Sequence, residues 1–228
     1  MINPVQLTAA NVRIEDRMVS RKSRSKSSNR WLQEHHSDAY VARARADNYR
    51  SRAVYKLIEL DTRYGLLKPG MSVVELGAAP GSWTQYVAEK VGDNGTVIAS
   101  DILPMDSFAQ VRFIQGDFRE TDVFERIVDA LAGRPADLVL SDMAPNISGV
   151  PVSDQARSMY LAELAHDMAT HVAGPGSTLV MKLFQGQGFN ELINALRNDY
   201  TTVNVRKPDA SRDRSREVFA VARNLLMV

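Results

Sequence analysis

The 228 residues include no cysteine. That excludes a disulfide-stapled scaffold, a thiolate nucleophile and a cysteine-ligated metal site, and it suits a reducing, cytoplasmic location. No apolar run approaches the roughly 18 residues needed to span a bilayer, so no membrane partner is expected. The opening MINPVQLTAANVRIEDR lacks the basic end and apolar block of a secretory signal. Charge of one sign is also missing, since 28 Lys and Arg stand against 27 Asp and Glu for a net +1. By itself that argues against a nucleic-acid partner. The average hides two basic clusters, however. Arg13, Arg17, Arg21, Lys22, Arg24, Lys26 and Arg30 face only Glu15 and Asp16, and Arg206, Lys207, Arg212, Arg214 and Arg216 crowd a second stretch. Local clusters, not net charge, draw a phosphate backbone.

Residues 1–28 hold most of the stretch SRKSRSKSSNR (20–30), which has nothing apolar to bury, so a disordered basic arm is expected there. It reads either as a solubilising tail or as an RNA-contacting arm. Residues 29–228 read as a single domain, long enough for one full core and expected to be monomeric. SRAVYKLIELDTRYGLL spaces its apolar residues as a helix does, with Ser51 as the expected N-cap. After it, β-rich runs (MSVVELG, GTVIASDI, VRFIQGD, ADLVLSDM, STLVMKLF) alternate with helical stretches. Runs buried on both faces and separated by helices predict an α/β fold with a mostly parallel twisted sheet and helices on both faces. TTVNVRKP and REVFAVARN then follow with no helix between them, so the last strand should be antiparallel. That is the Rossmann-like architecture of class I methyltransferases using S-adenosylmethionine (AdoMet), not of a plain dinucleotide dehydrogenase.

Val74-Glu75-Leu76-Gly77-Ala78-Ala79-Pro80-Gly81-Ser82-Trp83 follows a strand and opens a helix. Gly77 and Gly81 permit a sharp turn and close approach to a ligand, and the helix start beyond offers free N–H groups. Pro80 removes one donor, and the spacing is not G-x-G-x-x-G. This suits the amino-acid end of AdoMet better than a diphosphate. Asp101 closes the next strand, where ribose hydroxyls are usually read, and Asp117 closes the one after, where a carboxylate suits an adenine amino group. Either alone is equally compatible with a helix cap. Asp142 ends the fourth run. Lys182 is unusual for a lysine in having apolar neighbours on both sides, Lys56 sits in an apolar helix, and Glu217 opens the last strand.

LGAAPGSW, SDMAPNISG, MKLFQG and VRKPDASRDRSREVF closely resemble the FtsJ/RlmE family of ribosomal RNA 2′-O-methyltransferases, over about Arg30 to Val221. The resemblance implies a catalytic tetrad of Lys56, Asp142, Lys182 and Glu217, and cofactor contacts at Gly81, Trp83, Asp101, Asp117 and Asp142. Family members often carry Gly where Ser82 stands and Tyr where Phe219 stands. It further implies methylation of a uridine in the peptidyl-transferase region of large-subunit RNA, within an assembling particle, with S-adenosylhomocysteine as the product. No His/Asp cluster has metal-ligand spacing, so no metal is expected. Lys182 is open to two roles, a neutral base or a cation steering the attacking oxygen. Arg50 and Arg52 beside the tetrad helix, with Arg212, Arg214 and Arg216 near Glu217, are the expected phosphate contacts.

Overall fold

The computed structural model describes residues 39–106 and 108–226; the expected basic arm, residues 1–28, lies outside them. The elements run α1 (Ala39–Ala46), α2 (Val54–Tyr64), β1 (Ser72–Leu76), α3 (Ser82–Val91), β2 (Thr96–Asp101), β3 (Val111–Gln115) and α4 (Thr121–Ala130). β4 (Ala136–Ser141), α5 (Pro151–Val172), β5 (Ala173–Phe184), α6 (Phe189–Asp199), β6 (Tyr200–Arg206) and β7 (Glu217–Leu225) follow. The strands form one seven-stranded sheet in the order β3-β2-β1-β4-β5-β7-β6. β1 to β5 pair parallel, and β7 runs antiparallel to both β5 and β6.

Both faces of the sheet are covered, which is why its central strands are largely apolar on both sides. α4, α5 and α6 pack on one face through Val123, Ile127, Ala165, Met168 and Leu196 against Leu76, Ile98 and Met181. On the other, α2 and α3 set Leu57, Leu60, Trp83 and Val87 against Val73, Leu140, Val180 and Phe219. Side chains alternate across a strand. In β5, therefore, Leu179, Met181 and Leu183 enter the first core while Val180 and Lys182 point toward α2. Lys182 stands directly opposite Phe219, and Phe184 opposite Glu217. The sequence thus carries an apolar face up to the C-terminal edge of the sheet and then changes to charge.

Two local details differ from expectation. α2 begins at Val54 with Ala53 as its N-cap, not Ser51. Ser51 instead opens the preceding turn, accepting the Ala53 N–H at 3.2 Å on its hydroxyl. β5 begins at Ala173, ahead of the expected STLVMKLF, because the AGPG stretch extends along β4 across a register shift. α5 starts with Pro151 in its first turn, where a missing N–H is harmless.

Candidate active site

The turn between β1 and α3 is shaped by two left-handed glycines, Gly77 (φ 75°) and Gly81 (φ 97°). Gly77 and Ala78 donate backbone hydrogen bonds to the Ser100 carbonyl, tying the turn to the end of β2. A Cβ on Gly77 would lie 2.6 Å from Met143 Cγ and 3.2 Å from Met143 backbone atoms, so the turn and the β4–α5 loop approach as only glycine allows. Ser82 is not among the positive-φ residues and starts α3, so the turn accommodates its side chain without strain.

Asp101, at the end of β2, accepts the Ala79 N–H and the Leu103 N–H, both at 2.8 Å. Its carboxylate braces the turn from below. Asp117 is paired with Arg119, whose hydrogen bonds hold its carboxyl below the usual range. Trp83 is 2% exposed. Its indole N–H goes to the Ala53 carbonyl at 2.7 Å and its ring lies 5.7 Å from that of Phe219. What this position offers a ligand is therefore the open N–H row at the start of α3, not the indole.

Glu75, within the turn motif of the sequence, is a further candidate whose place in the chain alone assigns it no role. It is 1% exposed in mid-β1 and accepts a hydrogen bond from Thr84 Oγ1 at 2.7 Å. Burial pushes its carboxyl up to about 8; the Thr84 bond opposes this, and the charges of Asp142 and Asp101 reinforce it. Three acids thus converge behind the turn. An acidic residue in an otherwise apolar central strand was the available signal. The two strand-end carboxylates, Asp101 and Asp142, fit AdoMet, whose sulfonium and ammonium are cationic, and would repel a diphosphate.

At the end of β4, Asp142 meets Lys182: Nζ is 3.0 Å from Oδ1 and also donates to the Asp142 carbonyl oxygen. On the same face, Lys56 of α2 pairs with Glu217 of β7 at 2.6 Å, and both side chains are nearly buried. Burial acts to raise the Glu217 carboxyl, but Lys56, Lys182 and the Ser211 hydroxyl outweigh it, and the net direction is down. All four expected tetrad residues therefore converge at the C-terminal edge of the sheet. Lys56 Nζ also lies 5.6 Å from the centre of the fully buried Phe219 ring, so this position contributes a ring face and no hydroxyl.

Next to the Lys56–Glu217 pair opens a cleft of about 490 Å³ lined by Ser51, Arg52, Arg212, Arg214 and Ser215. Burial, then the neighbouring Arg212, lowers the pKa of Arg52. Two guanidinium groups held this close suit an anion between them. Arg216 is exposed but does not line the cleft. Arg50 points elsewhere, to the glycine turn. Its Nη1 donates to the Pro80 carbonyl at 3.1 Å and the Asp106 carbonyl at 2.8 Å, and its guanidinium stacks 3.8 Å from the Phe108 ring centre.

Residues 49–225 match the FtsJ-like methyltransferase family. The chain is 57% identical over 198 residues, 87% of this chain and 94% of the relative, to the ribosomal RNA large subunit methyltransferase E of Chromohalobacter salexigens. To the protein of that name from Hahella chejuensis it is 54% identical over 200 residues, 88% of this chain and 97% of the relative. Among solved structures, one assigned as a ribosomal RNA methyltransferase from Plasmodium falciparum superimposes with a TM-score of 0.70 at 31% identity, covering 79% of this chain and all of that one.

Proposed function

This chain belongs to the FtsJ-like methyltransferase family, and from that premise we propose that it transfers the methyl group of AdoMet to a ribose 2′-hydroxyl of ribosomal RNA. The acceptor on this reading is a uridine in the peptidyl-transferase region of 23S-type RNA, in an assembling large subunit. The observation that carries it is the meeting of Lys182–Asp142 and Lys56–Glu217 on one face, between the glycine turn and the arginine-lined cleft. The relatives named for large-subunit RNA support the substrate class.

Bound AdoMet supplies a methyl group already activated on a sulfonium. The chain must hold an alcohol in line with it and accept one proton. Arg52, Arg212 and Arg214 grip the phosphates flanking the acceptor ribose. Lys182 is the group assigned to take the 2′-hydroxyl proton. Asp142 orients its Nζ. Glu217, fixed by Lys56 and by Ser211 at 2.8 Å, keeps Lys56 in place. Positioning accounts for much of the rate gain. With no cysteine to add to a pyrimidine ring, the covalent route to carbon-5 methylation is disfavoured.

The test is an otherwise native RNA carrying one 2′-deoxy nucleotide at the mapped position. Methyl incorporation there should vanish while binding persists. Continued incorporation at that nucleotide would move the acceptor to the base and end the tetrad assignment.

A further inference from the structure

The segment leading into α2 is joined residue by residue to the glycine turn and the start of α3. Arg50 donates to the Pro80 carbonyl, Ser51 and Ser82 share a hydrogen bond of 2.8 Å between their hydroxyls, and the Ala53 carbonyl accepts from the Trp83 indole. Of the two arginines in this run, only Arg52 lines the cleft. Two arginines one residue apart thus serve two different places.

We propose that Arg50 is a positioning residue for the cofactor, clamping the β1–α3 turn to the segment that follows β2, and that it is not a phosphate contact. Its guanidinium joins two pieces of chain that are far apart in sequence: Pro80 in the turn, and the stretch beyond β2 that holds Asp106 and Phe108. A planar fork can bond to two carbonyls and stack on a ring at once; an ammonium cannot. The fit is close, since a Cβ on Gly81 would lie 2.7 Å from Arg50 Nη1 and 2.6 Å from Met105 Sδ. That is a second reason for glycine at position 81, besides its left-handed φ of 97°. The clamped segment begins just after Asp101, whose carboxylate braces the same turn. Both walls of the cofactor site are therefore held in register before a ligand arrives, and such preorganisation appears as affinity. A phosphate taking Arg50 would release Asp106 and Phe108.

The inference rests on the glycine turn being the AdoMet site, and one experiment separates the two. AdoMet is titrated by calorimetry into the full chain as wild type, Arg50→Ala, Arg50→Lys and Phe108→Ala, and RNA binding is measured across a salt series. Arg50→Ala should bind AdoMet about tenfold more weakly, as expected for two lost charge-assisted hydrogen bonds with partial relaxation. Its RNA affinity and salt slope should not change. Arg50→Lys should recover only part of the loss, and Arg52→Ala should show the reverse pattern, with a shallower salt slope and normal AdoMet affinity. Unchanged AdoMet affinity in Arg50→Ala overturns the proposal, whatever the RNA result. If Arg50→Ala does not fold, Phe108→Ala decides: weaker AdoMet binding supports the clamp and wild-type affinity overturns it. A wild-type protein that fails to bind AdoMet would sink the functional reading itself.

Discussion

Replacing Glu75 by glutamine should stabilise the folded protein, by an amount that grows with pH. The carboxyl is 1% exposed, and burial raises it from an ordinary 4.5 to about 8. A folded acid with a raised pKa keeps a proton that the unfolded chain releases. Its contribution to stability is therefore complete below the unfolded value of 4.5 and is lost as pH rises through about 8. Each pH unit in that window removes about 1.4 kcal/mol, so wild type should lose up to about 3 kcal/mol between pH 5 and 7 that the variant retains. Glutamine still accepts the Thr84 hydrogen bond and never ionises. Urea midpoints of both proteins from pH 5 to 8 should diverge toward the alkaline side, by about 1 M at pH 7 for a slope of roughly 2–3 kcal/mol/M. A midpoint difference that stays constant with pH would refute the reasoning, since it would mean that folding does not perturb this carboxyl.

Lys182→Ala should lower methylation by about 10²–10⁴-fold and retain AdoMet; Lys182→Arg should fail too, because a guanidinium keeps its proton. A near-normal single-turnover rate for the arginine variant would exclude the base role and leave charge steering. Gly77→Ala places a Cβ 2.6 Å from Met143 Cγ at a φ of +75°. It should destabilise the protein by about 2 kcal/mol or more, read as a lowered melting temperature, and abolish AdoMet binding by calorimetry. Deleting residues 1–28 should leave folding and AdoMet affinity intact while weakening RNA binding; an unchanged slope of log affinity against log salt would reduce that segment to a tail.

Much of the fold was legible because its signals are local. Five apolar runs alternating with helices specify a parallel sheet covered on both faces, and two runs without an intervening helix specify the antiparallel β7. Of the site, Asp142, Lys182 and Glu217 could be placed at strand ends from their positions alone, but their common site was implied by resemblance. Pairing Lys56 with Glu217 needs two elements brought together across 161 residues of chain, which no spacing rule encodes. Arg50 and Arg52 looked equivalent on paper; the turn before α2 sends one to Pro80 and the other to the cleft. Glu75 read as part of a turn motif, because the raised pKa that distinguishes it comes from burial by neighbouring strands.

The placing of β7 bears on when the enzyme can first work during its own synthesis. β7 follows β5 and β6 in the chain yet lies between them, and its first residue, Glu217, is the partner of Lys56. Until that strand leaves the ribosome and inserts, β5 has a bare edge and Lys56 has no counter-ion. The glycine turn, with β1 to β4 around it, is complete far earlier in translation. A nascent chain should therefore acquire its glycine turn first and its Lys56–Glu217 pair only at the final, non-local pairing, the kind of step that sets slow folding rates.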